Sequence, residues 1–216
     1  MPDRLKHPGH FERMTLTMIP GKKKAVFATG GVILVFAALT GFLFFNTLGE
    51  NIVAAVNGQP VTEQEFLAAC DRNRGDVFSQ LCGEYNGDGF WLAKLAGGRP
   101  VDILFQRALD ECTQQKVILI LARQNGLADD ITYKGLLNGM KRENQNRKEK
   151  LARGEPVYGP QQFSMDEYLG WYFLNLEAEL KQTVGEANYD ALLRQSISRA
   201  SIELRPLYDT LKEDYK

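Results

Sequence analysis

The stretch Ala25–Phe45, AVFATGGVILVFAALTGFLFF, carries no charged residue. At about 1.5 Å of rise per residue it spans roughly 30 Å as a helix, the thickness of a bilayer's hydrocarbon core. A helix of that length in a globular core normally keeps a polar face, and this one has none. A cleaved signal sequence is the stronger competing reading. Its apolar region is shorter, about 7–15 residues, and ends in a small-x-small site. The sequence that follows, FFNTLGEN, is a poor site of that kind, and no cysteine before Cys70 is there to take a lipid. An uncleaved anchor, with the lipid bilayer as partner of residues 25–45, is the expectation that fits best.

The flanks set its direction. Arg4, Lys6, Arg13, Lys22, Lys23 and Lys24 precede the run, whereas the first charge after it is Glu50 and the next basic residue is Arg72. Positive flanks stay in the cytoplasm. Residues 1–24 are thus expected to be a cytoplasmic tail, 46–51 a linker, and 52–216 an extracytoplasmic domain. The net charge of −1 gives no global field to recruit nucleic acid or acidic lipid. A composition of 25% charged and 44% hydrophobic residues is that of a globular chain.

In the outer domain, Val53–Val56 is apolar and β-prone, and Asn57-Gly58 is a strong tight-turn signal. Pro60 is expected at the next corner. Thr62 with Glu65 three residues on forms a capping box, which predicts a helix from about Glu63 to Asn73. CGEYNGDGFW reads as a loop; it lacks the alternating acids and terminal Glu of a calcium loop. Val101–Asn125 is the strongest helix, with Ile103, Ala108, Cys112, Ile118, Leu119 and Ala122 on its apolar face and Gly126 placed to end it. A further helix is expected between Ala128 and Gly154, capped by Asp130. Its part from 141 to 153 is so polar that it reads as a solvated helix or a mobile arm. Ser164 predicts a helix from Met165 with Tyr168, Leu169, Tyr172, Leu176 and Leu180 on one face, and Trp171 and Phe173 outside its centre. Another helix follows over Glu186–Arg199. Ile202 and Leu204 alternate as in a strand. A lone strand at Val53 needs a partner for its backbone groups, and Ile202–Leu204 is the natural one.

The only histidines are His7 and His10, so the outer domain offers no imidazole for a nucleophile pair or a metal site. No phosphate-binding glycine loop is present. Asp129-Asp130 and Asp166-Glu167 read as charged first turns of helices. Neither catalysis nor a cofactor is expected. Cys70, Cys82 and Cys112 fall on the side of the membrane that permits disulfides. Their three possible pairings stay open beside the favoured reading, in which all three are small buried hydrophobes.

Three segments share a likeness. VAAVNGQPVTEQEF (Val53–Phe66) resembles the start of the N-terminal chaperone domain of the SurA/PrsA group of extracytoplasmic foldases, where a short strand passes through V-N-G into a helix opening T-x-x-E-F. RALDECTQQKVILILARQNGL (Arg107–Leu127) is similar to the group's long helix, with its lysine-containing amphipathic turn and A-x-x-x-G ending. YGPQQFSMDEYLGWYFLNLEAELK (Tyr158–Lys181) resembles a later helix of Gram-positive members. The likeness covers roughly residues 52–205. It implies a mostly α-helical domain with two short pairing strands. It also implies a chaperone that binds unfolded or secreted polypeptides through apolar and aromatic segments. The chain leaves no room after the closing strand for the group's parvulin prolyl-isomerase domain, so isomerase activity is not expected. Tyr85, Phe90, Trp91, Tyr168, Trp171 and Tyr172 are the aromatic candidates for a client-binding groove. The other expectation is a non-catalytic surface subunit with one dedicated protein partner, for which the polar 141–153 segment is the docking candidate.

Overall fold

The structure is a computed structural model that describes residues 51–85 and 87–215, all within one compact unit. The apolar run Ala25–Phe45, the tail before it and linker residues 46–50 lie outside the described residues. Among the described residues, no helix is long and apolar enough to cross a membrane.

The described chain is mostly helical, with a small three-stranded sheet. Strand β1 (Ile52–Val56) turns through Asn57 and Gly58 into β2 (Gln59–Thr62). Both turn residues have positive φ, 49° and 76°, as a two-residue hairpin of matching twist requires. Pro60 does not make a corner. It lies inside β2, opposite Ala55, on an edge where its missing N–H costs nothing. β3 (Ile202–Leu204) pairs antiparallel with the other side of β1, giving the order β2-β1-β3 and joining the two ends of the domain. Val53, Ala54, Ala55 and Val56 are all buried.

Thr62 caps helix α1 (Glu63–Leu81) through the expected box with Glu65. The helix runs eight residues past Asn73, from Arg74 to Leu81. RNRGD carries no local apolar pattern to continue it, but Val77 and Leu81 reach the core, and the Arg107 guanidinium donates to Gln80 at 2.5 Å. Helix α2 (Pro100–Gln124) is the centre of the domain. Its buried residues go all the way round, including Leu104, Phe105, Leu109 and Val117 beside the expected face; Ile103 is only half-buried. Helix α3 (Tyr133–Ala152) begins later than expected. Thr132 is its cap, and Asp130 stands one layer back, its Oδ1 accepting from the Thr132 N–H at 3.0 Å and from the hydroxyl at 2.7 Å. α4 (Met165–Val184) starts at a capping box of Ser164 and Glu167, and α5 (Glu186–Ser198) follows a one-residue break at Gly185.

A last helix, α6 (Pro206–Glu213), was not expected from the sequence. It closes over the start of α2. Tyr208 packs edge-on against Phe66 and Phe105, and Tyr215 against Trp91 and Phe105, with centroid separations of 5.4–5.6 Å. The rim of this contact is ionic. Arg99 and Lys212 both reach the Asp102 carboxylate, at 3.1 and 2.8 Å, and Arg99 also meets Glu213. The Arg99 hydrogen bond, helped by Lys212, holds the Asp102 carboxyl down at about 2, against 3.8 when free. Its stabilising share is therefore full above pH 3.8 and is lost as the pH falls through about 2. The carboxylate is 39% exposed, so solvent screens it and the share is modest. Acid unfolding followed by Trp91 fluorescence should show α6 loosening in that interval. Asp102→Asn should remove this component and leave the rest of the profile in place.

Candidate functional site

The six aromatic candidates do not come together. Phe90 and Trp91 lie in a short 3-10 turn and are 5% and 8% exposed. Phe90 packs between Phe78 and Trp91, and the Arg74 guanidinium lies 5.1 Å from the Trp91 ring centre. Both are core, so neither belongs to a surface groove. Tyr85 is exposed but is turned into its own loop, donating its hydroxyl to the Asp88 carbonyl at 2.7 Å.

Tyr168, Trp171 and Tyr172 do form one group, on the first turns of α4. Phe163, which the sequence reading passed over, completes it. The ring centres of Phe163, Tyr168, Trp171 and Tyr172 follow one another at 5.6–6.2 Å, with Tyr168 and Tyr172 stacked at 24°. Tyr168 and Phe163 are buried, Tyr172 is half-buried and Trp171 is exposed. Phe173 turns inward to the core and not away from it, whereas Leu174 stands 73% exposed beside Trp171. Burial holds the Tyr168 and Tyr172 hydroxyls above the usual phenol range, so both are neutral donors at any physiological pH.

A groove of about 440 Å³ runs between α3 and α4 beside Tyr168 and Tyr172. Tyr168, Tyr172 and Leu136 line its apolar part; Arg142, Asn138 and Asp129 line its polar part. Gly139 makes the close approach possible, because a Cβ there would collide with the Tyr168 hydroxyl. A second groove of about 280 Å³ lies on the other side of α4, over Ile118, Leu169 and Phe173. Arg72 spans it, bonding Glu111 of α2 at 2.7 Å and Asp166 of α4 at 2.6 Å, and so pins the first turn of α4 to the central helices.

The polar segment 141–153 is a helix, the outer half of α3, and it is clipped to the chain that follows. The Arg147 side chain is only 9% exposed. It donates to the carbonyls of Tyr158 and Pro160 at 2.9 and 2.8 Å, pairs with Glu143 at 2.9 Å, and lies 4.1 Å from the centre of the Phe163 ring. Asn144 exchanges two hydrogen bonds with the Phe163 backbone, at 2.8 and 3.0 Å. The segment is the solvated helix expected of so polar a stretch, with most of its side chains exposed, and the buried Arg147 ties it to the following loop. Arg147→Ala should leave two carbonyls without partners and cost about 1–3 kcal/mol. The loss should be local: amide exchange over residues 155–163 should quicken while α2 stays protected. Lys at 147 should not restore it, since a single ammonium lacks the planar fork and the ring stacking.

All three cysteines are free thiols. Cys70 and Cys112 are buried, as expected, and burial pushes both thiols up to about 12. Cys82 departs from that reading, being half-buried at the end of α1. Among the described residues no group of His, Cys, Asp and Glu is placed to hold a metal ion.

Compared with family models, with curated proteins and with solved structures, this chain matches none of them.

Proposed function

We propose that the protein is a membrane-anchored, extracytoplasmic holdase that binds apolar and aromatic segments of secreted polypeptides without catalysis, in the manner of the SurA/PrsA N-terminal domain. The observation that carries this is the aromatic row on α4. In it Tyr168 and the half-buried Tyr172 line an open groove against α3, while the exposed Trp171 and the 73% exposed Leu174, one turn apart, add apolar surface on the outer side of the helix. Aromatic rings provide large contact area for little loss of side-chain freedom, which suits reversible binding of many sequences. The resemblance also supports the reading: the V-N-G turn, the capped T-x-x-E-F helix and the central helix all lie in the stretch that carries it.

A second reading is a surface subunit with one folded partner. The Arg147 and Asn144 clips favour it, because they hold the α3–α4 hairpin in one shape and present Tyr158, 86% exposed, near its tip.

The full chain in detergent micelles, mixed at equal molar ratio with several unrelated, chemically unfolded proteins, separates the two. Suppressed aggregation across clients, weakened severalfold by the pair Trp171→Ala and Leu174→Ala, is the result expected of a holdase. Leu174 is 73% exposed, so its loss should change stability by no more than about 0.5 kcal/mol; Trp171 also packs on Phe163 and Tyr168, and losing those ring contacts should cost about 0.5–1.5 kcal/mol. Failure to suppress any client, from a folded chain, would discard the holdase and favour the single-partner subunit.

A further inference from the structure

We infer that the outer edge of β3 is a second docking element, which takes an extended polypeptide as an added antiparallel strand. The inference rests on the holdase reading and names how part of a client is held.

The direction of the edge groups follows from the ladder. Asn57 N–H donates to the Ser201 carbonyl at 2.8 Å, and Arg205 N–H to the Val53 carbonyl at 2.9 Å. Between them the register is Val56 with Ile202, Ala55 with Glu203 and Ala54 with Leu204. Antiparallel partners alternate between pairs that exchange hydrogen bonds and pairs that do not. Ser201, Glu203 and Arg205 therefore turn their backbone groups towards β1. Ile202 and Leu204 turn theirs outward, where no described residue hydrogen-bonds to them. The same two residues carry exposed apolar side chains, 42% and 50% accessible, on one face of the sheet.

The two edges of the sheet differ. Sheets guard their edges with proline, lysine, bulges or covering chain, because a bare edge is a template for another strand. β2 has Pro60 and an irregular register near Ile52. Among the described residues β3 has no proline, lysine, bulge or covering chain; the ion pair of Arg205 with Glu203 at 3.3 Å lies on the side chains and leaves the Ile202 and Leu204 backbone groups open.

The chemistry of the edge selects its occupant. A row of alternating donors and acceptors is matched by an extended main chain. The three-residue strand is about 10 Å long. That is far too little to bury the roughly 800 Å² per partner of a stable protein–protein interface. A second copy of this chain is thus disfavoured. A short client segment with alternate apolar residues, held briefly and by backbone bonds that ignore its sequence, fits both the size and the open groups.

The test uses the full chain in detergent micelles and a fluorescein-labelled heptapeptide, Lys-Val-Thr-Val-Thr-Val-Lys, beside the same peptide N-methylated on its valine amides. The parent peptide should bind, and the methylated one should bind at least tenfold more weakly. Leu204→Pro removes an outward N–H and spares the bonds to β1; it should weaken the parent peptide by a similar factor. Ile202→Lys with Leu204→Lys keeps the backbone intact and serves if the proline variant does not fold. In wild type the parent peptide should slow amide exchange at Ile202 and Leu204. No binding by wild type, or equal binding of the methylated peptide, overturns the inference, as does a change in self-association without a change in peptide binding, which assigns the edge to a second copy. A chain that suppresses client aggregation equally with and without Leu204→Pro, and binds both peptides alike, keeps the holdase and loses the edge. A chain that suppresses nothing loses the holdase on its own evidence.

Discussion

Lys116→Ala should lower the stability of the domain by about 3–5 kcal/mol, the cost of leaving one member of a buried ion pair alone. Lys116 lies in the middle of α2 with its side chain 3% exposed, and its ammonium meets Glu65 Oε1 at 2.5 Å. The other oxygen of Glu65 accepts from the Thr62 N–H at 2.8 Å and from its hydroxyl at 3.1 Å, so one carboxylate both closes the cap of α1 and neutralises the central helix. Removing the lysine leaves an 11% exposed carboxylate with no cation. Denaturant unfolding should show a lower midpoint with an unchanged slope. Lys116→Met combined with Glu65→Gln should recover most of the loss, because replacing both charges removes the orphan as well as the pair. Recovery of less than half would mean that the bond itself, and not the stranded charge, stabilises this junction.

Phe66→Ala should cost a similar amount, about 3–5 kcal/mol, by opening a cavity that rigid neighbours cannot fill. Phe66 is wholly buried where α1, α2 and α6 meet, edge-on to Phe105 at 5.0 Å and to Tyr208 at 5.5 Å. Both neighbours are themselves locked, Phe105 by Tyr215 and Tyr208 by its place over α2. The damage should reach α6 first, since Tyr208 would lose one of the two rings it rests on. Limited proteolysis should then cut near Pro206–Glu213 before anywhere in α2. Against a total stability of order 5–15 kcal/mol for a domain, either substitution removes a large share.

The contrast between these sites and the surface row matters for the proposed function. Leu174 and the exposed part of Trp171 contribute little to the fold, so that apolar area is free for a ligand. Phe90 and Trp91, equally aromatic in sequence, are already committed to the packing that holds α6. Composition alone does not tell the two sets apart, because ring type is the same and only the neighbours differ.

The sequence by itself determined the features whose causes lie within a few residues. The Asn57-Gly58 turn and the stop at Gly126 follow from residues that tolerate positive φ, and the starts at Thr62 and Ser164 from side chains that meet backbone three residues on. The β1–β3 pairing was also legible across the whole domain, since an isolated strand at Val53 had to satisfy its backbone somewhere and Ile202–Leu204 was the other β-like segment noted. Tertiary structure decided the rest. It extended α1 to Leu81 through a stretch with no local pattern, because Val77 and Leu81 found core on α2 and beyond. It made α6 a lid, turned Phe173 inward, and drew Lys116 to a capping glutamate 51 positions away. It also buried Arg147 in the otherwise solvated 141–153 helix, since that side chain found carbonyls that appear only once the chain doubles back. Each of these depends on a partner distant in sequence. Burial and charge pairing are properties of neighbours, and the fold chooses the neighbours.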